Sequence, residues 1–593
     1  MSDGKLYIES VRTLQMDLLG LDQAPAHLVL GINSDLVAQP LTDTTAPTIT
    51  ASYPATGSED FAVADEISLI FSEPMDNAGV LPQDEIILSN VTDGGQVPFQ
   101  ITWDGSTVLL KPDTALAYGK QYQVTIGSLV DLAGNSLVLD AGDATGGTGN
   151  ITFTAENPAA TTVGPLVSSL FNGAACPLTA GDANFAGRCV GGDSGDERYL
   201  PFTMPTDGRI EVAFNQPMNP ATLVLGSACG SGAVRVEELD GGGTCVGVVD
   251  GSLIADTRSF KFTPTNGWTE GTQYRVTLVP GTNTSCGAGE ICSANGVPLN
   301  PDPLNGGEAA DAGGSNIVAT FTAVAAGNDV FLPLKLEPYA DINGNGYLDG
   351  SETARTENSA GVSIVDLLDD GLNNGIITQA QFLDGPGGAV IPEASIYLGG
   401  ALPVTVGEPE PITIDGATWG MTLAGTSQIP VRVHPGILYG TSITMESSAT
   451  VLGIPIPISD VETGISVLRV RESGGEPVTG YIVAEDGVEQ PQFIAQLDLY
   501  MDAPDMQIQV NIPLLGGLIA VNHNIHSLPL TAIVKGPITF LEDGRILIEQ
   551  TNLADIELVI NVTSIAGNGA IKMLIPSGAM NLRLIGNPLK GRK

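Results

Sequence analysis

Glu66-Ile-Ser-Leu-Ile-Phe-Ser-Glu-Pro-Met-Asp76 returns further along the chain as Arg209-Ile-Glu-Val-Ala-Phe-Asn-Gln-Pro-Met-Asn219. Each copy reads as a short apolar strand stopped by a proline, which cannot donate to a sheet ladder. Around the first lie Ile49 to Pro54, Ser106-Thr-Val-Leu-Leu-Lys-Pro112, Gln121-Tyr-Gln-Val-Thr-Ile126, Asp131-Leu-Ala-Gly-Asn135 and Ile151-Thr-Phe-Thr154. Around the second lie Ser259-Phe-Lys-Phe-Thr-Pro264, Gln273-Tyr-Arg-Val-Thr-Leu278 and Ile317-Val-Ala-Thr-Phe-Thr322. Two modules are expected, over 46–157 and 163–324.

This series resembles the bacterial Ig-like domain of S-layer and other surface proteins. The resemblance covers each module and implies tandem β-sandwiches, each with alternate residues between two sheets and loops at its ends. It implies a secreted or surface protein and carries over no catalytic residue. The second copy departs from the pattern: Cys292-Ser-Ala-Asn-Gly296 replaces the Asp131–Asn135 turn, and the long insertions Cys176–Leu200 and Ala228–Asp250 separate its strands. These insertions are candidate recognition loops, or else edge protection.

All six cysteines fall in that module: Cys176, Cys189, Cys229, Cys245, Cys286 and Cys292. An even number in one module indicates disulfides and an oxidising compartment. Pairing between neighbours is the simplest connectivity. A zinc site is disfavoured, because the module has no histidine and no close Cys-x-x-Cys pair.

The chain has 593 residues, with Lys+Arg 23 against Asp+Glu 67 and a formal net charge of -44. So acidic a surface repels nucleic acid and anionic membranes. Gly 74, Pro 39 and few aromatics favour all-β modules. The longest apolar run, Ile512 to Val521, is too short to span a bilayer. No signal peptide follows Met1. The cysteines therefore point to a mature exported protein, extracellular or at the cell surface, with an outer-membrane lipoprotein as one form of anchoring.

Asp341-Ile-Asn-Gly-Asn-Gly-Tyr-Leu-Asp-Gly-Ser-Glu352 has the spacing of a calcium loop and resembles that of an EF-hand. Asp341, Asn343 and Asn345 offer side-chain oxygens, Gly346 the turn, Tyr347 a carbonyl, Asp349 a water-mediated contact and Glu352 a bidentate carboxylate. Ca2+ is the expected cofactor. A helix is expected within Thr353–Asp370, and a degenerate second loop on Asp370, Asn374, Gly375 and Gln381. The segment 325–390 is read as a calcium-loop linker, and 1–45 as an extended lead-in.

Residues 391–593 alternate in long runs: Phe493, Ala495, Leu497, Leu499, Met501; Met506, Ile508, Val510, Ile512, Leu514; Ile556, Leu558, Ile560, Val562. Period two over this length indicates long antiparallel strands with one apolar face. The domain is a sandwich, a barrel, or a curved sheet with an apolar groove. The pattern resembles tubular lipid-binding and lipid-transport sheets, though no motif carries that likeness.

Gly192-Asp-Ser-Gly195 is the kind of segment that holds a serine-protease nucleophile, but it needs a histidine base. The histidines are His27, His434, His523 and His526. His523 and His526 have no evident third metal ligand. The chain is expected to be non-enzymatic: a calcium-binding structural or adhesive protein whose partners are surface proteins, polysaccharide or further copies of itself. The alternative is an extracytoplasmic carrier of a lipid or other apolar ligand in the C-terminal domain.

Overall fold

The computed structural model describes residues 43–586 apart from 60, 62, 64, 77–84, 105, 157–162, 282–284, 305–312, 337–357, 367–376, 452–453, 472–477, 513–516, 541–544 and 565–566. The calcium loop Asp341–Glu352, Asp370, Asn374, Gly375 and most of the 1–45 segment lie outside the described residues. The described residues are all-β, with short 3-10 turns.

One compact unit holds the first module. A four-stranded sheet (Ile49–Tyr53, Ile67–Phe71, Phe99–Asp104, Thr107–Pro112) faces a three-stranded one (Ile86–Asn90, Gln121–Ile126, Asn150–Thr154). Ile67, Leu69, Leu88, Leu110, Val124 and Phe153 fill the space between. The repeated signature has a structural role. Met75 is buried and bridges to Asp131, whose carboxylate accepts the N–H groups of Ala133 and Asn135 and so folds the turn.

The second unit holds the second module and the C-terminal domain. The module has sheets of four and five strands around Phe260, Phe262, Trp268 and Phe321. Its Met218 bridges to Ser293, which repeats the arrangement of the first copy. Disulfides join Cys176 to Cys189, Cys229 to Cys245 and Cys286 to Cys292.

The C-terminal domain is a barrel-like sheet. Its eight principal strands are β1 (Val330–Leu336), β2 (Glu393–Val406), β3 (Leu423–Val433), β4 (Val478–Glu485), β5 (Gln492–Asp502), β6 (Leu528–Phe540), β7 (Ile546–Asn552) and β8 (Met580–Gly586). Each pairs with the next, and β8 pairs back with β1 through Leu334↔Gly586 and Leu336↔Leu584. The ring is closed and antiparallel throughout. Of the three architectures open from the sequence, this is the barrel.

Connections between neighbours must then alternate between the two ends. The long ones, after β1, β3, β5 and β7, all leave from the same end. They carry extra strands that extend the wall. Ser359–Asp366, for example, pairs with the start of β2 and with the start of β8.

Three expectations change here. The stretch read as a linker supplies β1 and the strands Ser359–Asp366 and Ile377–Leu383 to the C-terminal sheets. The helix expected within Thr353–Asp370 is a strand over its described part, Ser359–Asp366. Ala360 and Val362 are buried two apart, so the run obeys a period of two. Gln381, expected in a second loop, instead lies on a strand and donates to Glu446.

Candidate functional site: the inner face of the C-terminal ring

Directly opposed residues on paired strands share a face. Following the register around the ring therefore identifies the inner wall. Leu332, Leu334 and Leu336 of β1 oppose Val404 and Leu402 of β2 on one side and Leu584 and Gly586 of β8 on the other. Val433 and Val431 of β3 continue the row to Val478 and Gly480 of β4, then to Ala495 of β5. Phe493, Ala495 and Leu497 lead to Gly536, Val534 and Ala532 of β6. Ile546, Ile548 and Gln550 of β7 close the circuit against β8. All these residues are buried. Gln550 is the polar side chain in this row.

The outer face is different in kind. It carries Lys335, Arg432, Gln496, Lys535, Glu549 and Arg583, with ion pairs such as Lys535–Glu485 at 2.9 Å. Barrels that span membranes present the apolar face outward and the polar face inward. This ring has the opposite sense. Among the described residues, no helix is long and apolar enough to cross a membrane.

Small residues shape the interior. A Cβ at Gly480 would meet Ile494 O at 2.8 Å and the Phe493 ring at 3.1 Å. One at Gly536 would meet the backbone of Glu549, with Gln550 Cα at 2.8 Å. β6 and β7 thus approach closely beside Gln550.

The second Ig-like module packs on the outer wall. Phe171 stacks on Phe331 of β1 with centroids 3.8 Å apart, and Tyr439 Oη donates to Val167 O at 2.8 Å. His434 sits edge-on to Phe171, and burial, helped by the charge of Arg432, pushes its pKa down to about 4.

The first disulfide-bearing insertion ends in a buried ionic cluster at this contact. Arg469 Nε donates to Asp502 Oδ2 at 3.0 Å, both terminal nitrogens reach Asp196 Oδ2 at 3.2 Å, and Nη2 reaches Ser527 Oγ at 2.8 Å. Arg469, Asp196 and Asp502 side chains are each 3% exposed. Burial raises the Asp196 pKa, outweighing the Ser527 hydrogen bond and the Arg469 charge that oppose it. Gly192-Asp-Ser-Gly195 belongs to this docking segment: the Asp193 N–H donates to Ser527 Oγ, and Asp193 Oδ1 accepts from Gly195 N.

The remaining site expectations divide between described and undescribed residues. Asp341, Asn343, Asn345, Tyr347, Asp349 and Glu352 lie outside the described residues. In sequence they fall between β1 and Ser359, two points anchored in the ring. His523 and His526 stack at 4.8 Å, and His523 Nε2 is 3.1 Å from Met506 O. Sequence reasoning missed the Arg469 cluster, whose members are far apart in the chain. It also missed a carboxylate cluster in the first module, Asp43, Glu73 and Asp131, with oxygens within 4.8 Å of one another.

Two sandwiches bearing a repeated Pro-Met signature define a class, and the profile of the bacterial Ig-like domain matches residues 43–155 and 202–296. The chain carries two such domains. Over 99% of its length it is 28% identical to alkane uptake protein B of Marinobacter nauticus, and it spans 58% of the length of that relative. Among solved structures it is similar to the N-terminal part of the bacterial S-layer protein SbsC, at 13% identity over 47% of this chain and 44% of that one, with a TM-score of 0.20. A longer SbsC structure covers 88% of this chain and 66% of its own, at 15% identity and a TM-score of 0.20.

Proposed function

We propose that this protein works outside the cytoplasm as a carrier of a long-chain apolar ligand, held against the inner face of the C-terminal ring, without catalysing a reaction on it. One observation carries the reading: a closed sheet whose inner wall is apolar, while its outer wall carries charged side chains between the patches that pack on neighbouring elements. Burying a hydrocarbon chain there is favourable by about 25 cal/mol per Å² removed from water. Eight strands enclose a space that holds side chains alone or one small ligand. The similarity to a protein named for alkane uptake supports the second case. The disulfides and the Ig-like domains support an extracellular or cell-surface setting. The Ig-like domains serve as supports, and the Asp341–Glu352 loop takes Ca2+ and steadies the point where the chain leaves the ring.

The test is extraction of the purified protein with organic solvent, followed by mass spectrometry, alongside titration with a fluorescent apolar probe. A stoichiometric long-chain compound or saturable probe binding is expected. A clean extract together with no saturable binding would leave a filled structural core. The tandem Ig-like domains favour the second reading in that event: a calcium-binding adhesive or structural protein that meets surface proteins, polysaccharide or other copies of itself.

A further inference from the structure

Within the apolar inner row, Gln550 is out of character. It lies on β7 opposite Leu582, in register with Ile548 and Leu584, and is 2% exposed. Its amide Nε2 is buried and has no hydrogen-bond partner. The neighbouring polar residue of the strand, Asn552, is satisfied: its amide donates to Ala554 O and Pro576 O, and its oxygen accepts from Met580 N. Within the inner row the unmet donor is particular to Gln550, while Arg471 Nε, beside Asp498 on the outer side, is another buried planar donor without a hydrogen-bond partner. Ser466 Oγ is also unpaired, but a hydroxyl can rotate toward a nearby carbonyl, whereas an amide holds its two N–H bonds in a fixed plane.

A buried donor left unmade is costly, and in a native protein it calls for a partner. Gly536 lets β6 approach β7 at this point, since a Cβ there would strike the β7 backbone, so the Gln550 amide has no room to turn toward β6. No cation accompanies Gln550 in the inner row, where its ring neighbours are Ile548, Leu582 and Leu584. A carboxylate brought there would pay the full penalty of burying an unpaired charge. A neutral oxygen would not.

We propose that Gln550 Nε2 is the specificity contact of the ring, donating to a single neutral oxygen on a long-chain ligand, such as an alcohol or an ester carbonyl. The cargo class is then the neutral oxygenated chain rather than the bare hydrocarbon. This rests on the carrier reading above and narrows it.

The experiment is competition binding on the whole chain against a fluorescent apolar probe. The competitors are hexadecane, 1-hexadecanol and methyl hexadecanoate, tested on the wild type, Gln550→Leu and Gln550→Met. The wild type should prefer the two oxygenated chains over hexadecane by roughly tenfold, the size of one buried hydrogen bond. Both variants should lose that preference and bind hexadecane at least as well as the wild type. Equal affinity of the wild type for all three ligands, or a preference that survives in both variants, overturns the Gln550 assignment and leaves the carrier reading standing. Failure of the wild type to bind any of the three removes the carrier reading and this inference together. Circular dichroism confirms that a variant is folded before its preference is read, and equal affinity of the wild type for all three ligands overturns the assignment even where neither variant folds.

Discussion

Removing Arg469 by Arg469→Met should be the most damaging single change at the contact between the second Ig-like module and the ring. Its guanidinium makes five polar contacts of 2.8–3.2 Å with Asp196, Asp502 and Ser527. Afterwards Asp196 keeps the Ser527 hydroxyl at 2.8 Å, and Asp502 keeps the Ser527 N–H at 2.7 Å. Two carboxylates, each 3% exposed, would share a dry site without a counter-ion. Breaking a buried ion pair from one side costs about 3–5 kcal/mol.

Denaturant unfolding followed by tryptophan fluorescence is the assay. Trp268 lies in the Ig-like core and Trp419 packs against the ring, so both sides of the contact are reported. At pH 7 the variant should lose about 3–5 kcal/mol. The loss should shrink on acidification, because a proton relieves the carboxylate pair. The triple change Arg469→Met, Asp196→Asn, Asp502→Asn should recover most of it, since a neutral cluster carries no orphaned charge. A loss under about 1 kcal/mol at pH 7, or no recovery in the triple variant, would refute the reasoning.

Three further outcomes can be checked. His434 is depressed to about 4 in the folded state, so its contribution is present above about pH 6.5 and is lost as pH falls toward 4. His434→Gln should flatten the acid limb of a melting-temperature profile in that window by up to about 3 kcal/mol, and an unchanged limb would count against it. Asp196 runs the other way: its raised pKa adds stability as pH falls through the folded value, and Asp196→Asn should remove that gain. Calcium at about 100 times its dissociation constant should stabilise the C-terminal domain by about 2.7 kcal/mol, lost with chelator or with Asp341→Ala and Glu352→Ala together. A melting temperature indifferent to chelation would remove the calcium site from the account.

Much of this was readable before any coordinates. The paired signatures ending in Pro74-Met75 and Pro217-Met218 located both sandwiches, because a strand stopped by proline is a local event. The alternation of Phe493 to Met501 exposed an apolar face for the same reason. Ring closure was not readable, since it depends on β1 meeting β8 across most of the domain. The strand Ser359–Asp366 was mistaken for a helix because a short apolar cluster fits either period until a partner strand chooses. Gln550 was visible in principle, as the polar member of the series Ile546, Ile548, Gln550, but its meaning required knowing which face that series lines.

The pairing of β1 with β8 has one more consequence. Leu334 and Leu336 find Gly586 and Leu584 only once nearly the entire domain has been synthesised. Until then both strands present open edges, with greasy side chains between them. Such distant pairing makes assembly slow and exposes the nascent chain to sticking. Removing β8 would leave a gutter in place of a tube, and the product should clump or depend on a chaperone that holds unfolded chains.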